Sequence, residues 1–375
     1  MHPADMIFYR AVSNPEQPAI IQPNLVVSYR EFAEAVQAIS GRVEHYGFNP
    51  QEPVAVSVHQ PLHKLAVCFA LLQCGISAAP ISPGALPHLR PSGIHNVIFT
   101  GEGQVLAGGR NIRFEESWLK TDRKLSPPQS LESGALHADL NFFVLDRTGR
   151  PKKLIIPSGA LAAEIKMLPF IGDIDHSRVL LMMSLNSPTG FIRAALNLYA
   201  GRAVCFAGTI ESQLLLLNTF NIEKIECSAR EAFDFVNAID NKAYELDPLK
   251  EVAIGGGHIS KELANSVRTR LCRNLVTRYH SIEAGPIAYA NYSTIAGVPN
   301  AVGFVLPGVR VEIVGDDDAP VDINQKGRLR CRSEFYDRVF SANKSGQEAE
   351  AGLWCYTGDV ACLTDNDLLC IFAAN

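Results

Sequence analysis

The chain has 375 residues, of which 47% are hydrophobic and 19% charged, and its net charge is −5. This balance is typical of a folded globular protein, and the length exceeds what one compact core holds, so we expect two or three subdomains. A negative net charge, with no basic stripe interleaved with aromatic residues, argues against a general nucleic-acid binder.

The cysteines and the apolar runs of the sequence indicate in which cellular compartment the protein is found. Nine cysteines occur singly, with no Cys-x-x-Cys pair, which is typical of reduced, mostly buried thiols rather than of a disulfide framework or a zinc site. The first ten residues lack the basic region and apolar core of a signal peptide, and no apolar run reaches the length of a membrane span. We therefore predict a cytoplasmic, enzyme-sized protein with no membrane span.

The first part of the chain alternates strands with helices. Ser28 can cap a helix whose apolar stripe begins at Phe32. A strand at 54–58, a helix that ends at Gly75 and a strand that reaches Ile81 form a βαβ pattern. This pattern predicts a parallel sheet.

Two apolar strands further on flank a charged turn. The strands are expected at 142–145 and 154–156, and the residues between them read DRTGRPKK. At its simplest this segment is a hairpin with a Thr-Gly turn.

The residues from 249 to 285 form the most informative unit. The apolar run 252–254 ends in three consecutive glycines, 255–257, and Ser260 can cap the helix that follows. A second strand is expected at 275–277. Such a strand–helix–strand unit is nearly always a right-handed crossover between parallel strands, so both carboxyl ends open on the same edge of the sheet.

The residue types at that edge suit a nucleotide with its metal. The glycines let a flat ring approach the backbone, Tyr279 offers a face for stacking, and Glu283 offers a carboxylate for a cation. The competing interpretation is an ordinary βαβ unit in a structural sheet, because glycine-rich turns are common.

The last ninety or so residues change character. Short strands alternate with turns such as 315–318, and a strand is expected at 327–332. This pattern indicates a small antiparallel β subdomain.

These motifs, in this order, resemble those of the acyl-adenylate-forming (AMP-binding) enzyme superfamily, which holds acyl- and aryl-CoA synthetases, adenylation domains of peptide synthetases, and luciferases. The glycines 255–257 and the segment 279–283 are similar to its adenine-binding strand–helix–strand, where the usual wording is Tyr-Gly-x-Thr-Glu; here His280 and Ile282 replace the Gly and the Thr. Trp354 to Asp359 matches Trp-x-x-Thr-Gly-Asp, the most specific motif in the chain.

The resemblance implies an α/β fold with two parallel-rich αβ-layered subdomains plus a small antiparallel β subdomain. We expect these subdomains at 1–140, 141–285 and 286–375, the second carrying the nucleotide loops and the third ending at the family's hinge. This is the large N-terminal domain of the adenylate-forming fold, and the family's mobile C-terminal domain is expected to be absent.

The resemblance also assigns site residues. Catalytic roles fall to Thr148 and Lys152, which would hold phosphates, and to Glu283, which would bind magnesium. ATP would contact a set of loop residues that includes the proposed ribose ligand Asp359. That set is Arg147, Gly149, Gly255, Gly256, Gly257, Tyr279, His280, Ser281 and Asp359.

The phosphate loop departs from the family pattern. Thr148, Gly149, Pro151 and Lys152 match Thr-Gly-x-Pro-Lys, but residues 144–147 replace the expected Thr-Ser-Gly-Thr. An aspartate within that segment repels polyphosphate, and the neighbouring arginine compensates in part through a bidentate contact.

A substrate pocket is implied at Asn186, Ser187, Phe233 and Gly257. An asparagine near this point is similar to the aryl-acid-activating members, where it binds a ring substituent. The alternative for Asn186 and Ser187 is a plain helix cap.

Two functions remain open. The first is an AMP-forming ligase that uses ATP and Mg²⁺ to convert a small-molecule carboxylic acid, aryl or fatty, into acyl-AMP and then transfers the acyl group to a thiol of CoA or of phosphopantetheine on an acyl carrier protein. The second is a degenerate, non-catalytic adenylation-fold protein that binds an acyl group, a nucleotide or a protein partner. A serine hydrolase is excluded, since no Gly-x-Ser-x-Gly elbow occurs.

Overall fold

The structure is a computed structural model. It describes residues 3–82, 84, 93–102, 106–120, 125, 138–145, 151–171, 175–239, 246–257, 259–343 and 354–372. The chain divides into two compact units, Met1–Ala162 with Ser184–Val204, and Ala163–Met183 with Cys205–Asn375. The division at 1–140, 141–285 and 286–375 stays a prediction.

Helices and strands alternate through most of the chain. The helices are α1 (Pro3–Ser13), α2 (Tyr29–Tyr46), α3 (Pro61–Gln73), α4 (Ser158–Ile165), α5 (Pro188–Ala200), α6 (Ile210–Phe220), α7 (Ala229–Ala238), α8 (Lys261–Arg270), α9 (Tyr292–Ile295) and α10 (Glu334–Asn343). The strands are β1 (Pro18–Gln22), β2 (Leu25–Ser28), β3 (Val54–Ser57), β4 (Ala78–Pro80), β5 (Asn96–Phe99), β6 (Arg110–Arg113), β7 (Asp139–Leu145), β8 (Pro151–Pro157), β9 (Arg178–Leu181), β10 (Ala203–Cys205), β11 (Lys224–Ser228), β12 (Glu251–Gly255), β13 (Leu275–Ser281), β14 (Gly285–Asn291), β15 (Ala301–Val305), β16 (Arg310–Val314), β17 (Gly327–Arg332), β18 (Cys355–Leu363) and β19 (Leu368–Phe372). Short 3-10 helices lie at Glu116–Leu119 and Leu168–Ile171.

The first unit is built on the predicted parallel sheet. Its strand order is β6-β5-β3-β4-β7-β8, and all neighbours are parallel except β7 and β8. The capping box of Ser28 and Glu31 starts α2, and Gly47 ends it in the left-handed conformation that glycine adopts at low cost. Phe32 of α2 meets Phe69 of α3 edge to face, with ring centroids 6.2 Å apart.

The second unit joins a parallel to an antiparallel region. The strands β9, β11, β12 and β13 pair in parallel, and from β13 onward the order β13-β14-β15-β19-β18-β17-β16 is antiparallel. The expected small antiparallel region is therefore present. One expectation is corrected in length: β13 runs on to Ser281, because its last residues pair with β14.

The antiparallel strands curl around their own core. Neighbouring strands lie about 4.8 Å apart, so the four steps from β13 to β18 would span roughly 19 Å in a flat sheet. A tyrosine on β13 nevertheless reaches a carboxylate on β18, as described below. The curled sheet is filled by Ala284, Ile287, Ile313, Leu329, Cys331, Ala361 and Leu369, among others.

All nine cysteines are free thiols, and most are buried, as expected. The structure adds a pairing that their spacing does not reveal. Cys331 lies opposite Cys355 across β17 and β18, and Cys362 lies opposite Cys370 across β18 and β19. Within the described part of the chain, no helix is both long and apolar enough to cross a bilayer.

Candidate nucleotide site

The glycine run and the segment after it lie side by side, as predicted. Gly255 at the end of β12 pairs with Arg278 of β13 in parallel register. A side chain on Gly255 would place its Cβ 3.2 Å from the carbonyl oxygen of Arg278 and 3.5 Å from the ring of His280. Gly256 has φ +70°, a conformation that other residues rarely adopt. The crowding at Gly255 and the left-handed φ of Gly256 therefore both favour glycine at these positions.

Tyr279 and Asp359 meet at this edge, although 80 residues separate them. The Tyr279 hydroxyl donates to Oδ2 of Asp359 at 2.5 Å, and the Asp359 backbone N–H donates to Oγ1 of Thr357 at 3.2 Å. Burial raises the pKa of Tyr279, and the hydrogen bond to the Asp359 carboxylate raises it further. The residues that the motifs assign to adenine and to ribose thus form one hydrogen-bonded pair.

Glu283 sits in a turn that its neighbours orient. The Ser281 hydroxyl donates to Oε2 of Glu283 at 3.1 Å and accepts from the backbone N–H groups of Glu283 and Ala284, both at 3.3 Å. The described residues contain no cluster of three or more His, Cys, Asp or Glu side chains that could hold a metal by themselves. One oriented carboxylate fits Mg²⁺ all the same, because this ion takes one or two protein carboxylates and completes its shell with water and substrate phosphates.

A buried ion pair supports β13, and the sequence reasoning missed it. Arg278 Nη1 lies 3.0 Å from Oε1 of Glu226 on β11, and its Nη2 lies 3.7 Å from Oε1 of Glu251 on β12. The Glu226 side chain is only 2% exposed. The signal available in the sequence was a glutamate between the apolar residues Ile225 and Cys227, in the middle of a buried strand.

The phosphate-loop residues fall mostly beyond what the structure describes. Arg147, Thr148 and Gly149 lie outside the described residues, and Lys152 is an exposed residue of β8 opposite Val144 of β7. Their contact with phosphate stays a prediction.

Asn186 and Ser187 belong to the first unit and lie at the start of α5. The Ser187 hydroxyl accepts from the Gly190 N–H at 3.1 Å and donates to the Ser184 carbonyl at 2.7 Å, so it caps the helix. Oδ1 of Asn186 accepts a hydrogen bond from Nζ of Lys64. The helix-cap alternative therefore describes Ser187, whereas Asn186 has a lysine partner that the sequence reasoning did not identify.

The other two proposed pocket residues belong to the second unit. Phe233 lies on α7, and the residue is 53% exposed. Gly257 lies beside the start of the same helix, where an added Cβ would be 3.5 Å from Cβ of Ala229. Their role in substrate binding stays a prediction.

Comparison with known proteins identifies the class. The family model for AMP-binding enzymes matches residues 148–338, just over half of the chain. The chain therefore belongs to the AMP-binding enzyme family, which confirms the resemblance read from its motifs.

Individual relatives are distant. The chain is 22% identical over 335 residues to the phosphinothricin tripeptide synthetase PhsC of Streptomyces viridochromogenes, a match that covers 84% of the chain and 30% of the synthetase. It is 22% identical over 382 residues to luciferin 4-monooxygenase of Photuris pensylvanica, covering 91% of the chain and 70% of that protein. The chain thus spans less than a third of the peptide synthetase that it matches.

Solved structures confirm the fold. The N-terminal domain of FACL13 from Mycobacterium tuberculosis superposes with a TM-score of 0.84 at 14% identity, and 100% of both chains is covered. The o-succinylbenzoate CoA synthetase MenE of Bacillus subtilis gives a TM-score of 0.82 at 14% identity, covering 99% of this chain and 78% of that one. The α/β class, with its parallel layers and small antiparallel region, is the one that the sequence predicted.

Loss of the buried ion pair is expected to destabilise the second unit. Glu226→Gln removes the buried carboxylate that lies 3.0 Å from the Arg278 guanidinium, so we expect the free energy of unfolding to fall by about 3 kcal/mol in chemical denaturation. Asp234→Asn removes the partner of Arg230 in an exposed pair and is the control, with little change expected. Equal effects of the two substitutions would contradict a buried, energetically important pair.

The contribution of Lys64 to stability has a defined dependence on pH. Burial lowers the pKa of Lys64 from its ordinary value of 10.5 to about 8, and Cys68 acts weakly in the opposite direction. Below pH 8 the lysine is protonated both folded and unfolded, whereas between about 8 and 10.5 the unfolded chain binds the extra proton, so stability rises with pH there. Burial raises the pKa of Cys68 from 9.0 to about 12, so above about pH 9 this thiol makes stability fall with pH, and comparison with a Lys64 variant that retains Cys68 separates the two contributions.

Denaturation of the wild type and of Lys64→Met at about pH 7 and about pH 10 measures this effect. We expect the free energy of unfolding of the wild type to increase relative to that of the variant between the two pH values. A difference that does not change with pH would show that Lys64 titrates as an exposed lysine does.

Proposed function

We propose that this chain adenylates a carboxylic acid: a carboxylate oxygen attacks the α-phosphate of Mg-ATP, acyl-AMP forms, and pyrophosphate leaves. The observation that carries the proposal is the contact between Tyr279 and Asp359 beside the glycines 255–257, in a member of the AMP-binding enzyme family. These groups come from three separate parts of the chain. Their convergence supports one nucleotide site rather than unrelated structural turns.

The roles of the chain's own groups follow from their chemistry. The Asp359 carboxylate has the acceptor sites to take hydrogen bonds from two vicinal ribose hydroxyls. The Tyr279 ring offers a stacking face, and the absence of side chains at 255–257 lets adenine lie against the backbone. His280 and Ser281 complete this edge in the proposal, and the Ser281 hydroxyl keeps the Glu283 carboxylate in place.

Charge neutralisation completes the proposal. Mg-ATP, when bound, supplies the electrophilic phosphorus and the pyrophosphate leaving group. Glu283 would hold the magnesium, and Arg147, Thr148, Gly149 and Lys152 would hold the phosphates. Such a site accelerates the reaction by positioning and by stabilising charge, with no protein nucleophile.

For the thiol that accepts the acyl group, and for the acid itself, we propose only a chemical class. Similarity to a tripeptide synthetase supports a carrier-protein thiol, and similarity in fold to a CoA synthetase supports CoA. Asn186, Ser187, Phe233 and Gly257 are proposed to line the pocket for an aryl or fatty acid. A cytoplasmic location also belongs to this proposal.

Substitution of Asp359 tests the nucleotide site. We expect Asp359→Asn to weaken binding of AMP and of Mg-ATP at least about tenfold, because an amide has one acceptor oxygen where the carboxylate has two. Isothermal titration calorimetry measures both affinities. Asp365→Asn changes an exposed aspartate in the turn between β18 and β19 and is the matched control, for which we expect no change.

The outcomes separate the two open functions. Nucleotide binding that depends on Asp359, followed by acid-dependent pyrophosphate release, is the result expected of a ligase. Binding without release for a broad set of acids would favour the non-catalytic alternative. Wild-type protein that binds neither AMP nor Mg-ATP would rule out the proposed site.

A further inference from the structure

Lys64 is a buried cation without a carboxylate partner. It lies in the first turn of α3 and is 4% exposed. Its ammonium group donates to the Ile81 carbonyl at 3.0 Å and to Oδ1 of Asn186. Both acceptors are neutral, and among the residues that the structure describes no aspartate or glutamate forms an ion pair with it.

This arrangement is unusual for a lysine, which is almost never fully buried unless it is paired. Lys224 is buried to a similar degree, at 7% exposed, but it does have a carboxylate partner. Its Nζ lies 2.7 Å from Oδ2 of Asp175. An ammonium also has three N–H donors, of which the two contacts use two. Lys64 therefore retains both a positive charge to be neutralised and a donor for a further acceptor.

The position of Lys64 indicates what that acceptor is. Its partner Asn186 directly precedes Ser187, the cap of α5, and the Ser187 hydroxyl is already committed to Gly190 and Ser184. Asn186 and Ser187 are the residues that the proposed function assigns to the acid pocket. The lysine thus brings a fixed positive charge to the place where an anionic substrate would enter.

We propose that Lys64 binds a carboxylate of the acid substrate and is a specificity-determining residue of this protein. The inference rests on the proposed function. A carboxylate supplies the missing counter-charge and accepts the remaining N–H, and a charge-assisted hydrogen bond of this kind is about twice as strong as a neutral one. Asn186 acts as a positioning residue, because its amide oxygen holds the ammonium in place.

Two sources of the carboxylate are compatible with this geometry. Lys64 binds either the carboxylate of a monocarboxylic acid or only the second carboxylate of a dicarboxylic acid. Because burying the charge costs stability when no ligand is present, the lysine is explained by binding rather than by folding.

Acid binding to the wild type and to Lys64→Met tests the proposal. The probes are two matched pairs, benzoate with isophthalate and octanoate with suberate, in which the members differ by one carboxylate. Calorimetric titration measures each affinity. We expect Lys64→Met to weaken binding at least about tenfold, since methionine keeps much of the side-chain volume but loses the charge and the donors.

Lys224→Met is the control for loss of a buried lysine, because the ion pair that it removes, with Asp175, includes none of the proposed pocket residues. This variant is expected to bind the acids as the wild type does. Thermal unfolding followed by circular dichroism checks that each variant folds. Should Lys64→Met fail to fold, Lys64→Gln removes the charge while retaining hydrogen-bond donors.

The acids for which Lys64→Met loses affinity identify which carboxylate Lys64 binds. Equal weakening for both members of a pair assigns Lys64 to the carboxylate that the two members share, and weakening confined to isophthalate and suberate assigns it to a second carboxylate. Unchanged affinity of Lys64→Met for every acid that the wild type binds, or failure of the wild type to bind any of the four, would overturn the inference. A separate titration of the wild type with AMP shows whether the nucleotide site of the proposed function is intact.

Discussion

Curling of the antiparallel strands is the constraint on which the candidate nucleotide site depends. In a flat sheet, Asp359 on β18 would lie roughly 19 Å from the end of β13, because four strand spacings separate the two strands. The apolar core inside strands β14 to β19 bends the sheet back until the Tyr279 hydroxyl reaches the Asp359 carboxylate. The parallel pairing of β12 with β13 then sets the glycines 255–257 beside the same tyrosine. Hydrophobic packing in one region thus assembles the polar groups in another.

Charge is distributed in two contrasting ways within this framework. Arg278 beneath the nucleotide edge is neutralised internally by Glu226 and Glu251, so it stabilises β13. Lys64 in the first unit has only neutral acceptors, which makes it costly for folding and suitable for an anion. A buried basic side chain therefore stabilises the fold at Arg278 and, in our proposal, binds a ligand at Lys64. Unpaired buried charge is the physical sign that distinguishes the two.

Local patterns predicted the elements well, and contacts between distant residues could not be predicted from them. The apolar run at 252–254, the glycines and the cap at Ser260 are local signals, and the βαβ unit formed as expected. Asp359 was found from a motif. By contrast, the extension of β13 to Ser281, the Tyr279–Asp359 hydrogen bond and the Lys64–Asn186 contact depend on strands and helices that meet only in the folded chain. A lysine directly before the apolar run 65–72 of α3 was the visible hint of the last contact.

The central claim is that the chain activates an acid as its adenylate, and exchange of labelled pyrophosphate into ATP tests it most directly. Adenylate formation is reversible, so exchange reports this step without any acceptor thiol. We expect exchange that requires both Mg²⁺ and an added carboxylic acid, and that falls at least about tenfold in Asp359→Asn but not in the control Asp365→Asn. Acid-independent exchange, or no exchange across a broad panel of aryl and aliphatic acids by protein shown to bind AMP, would contradict the claim.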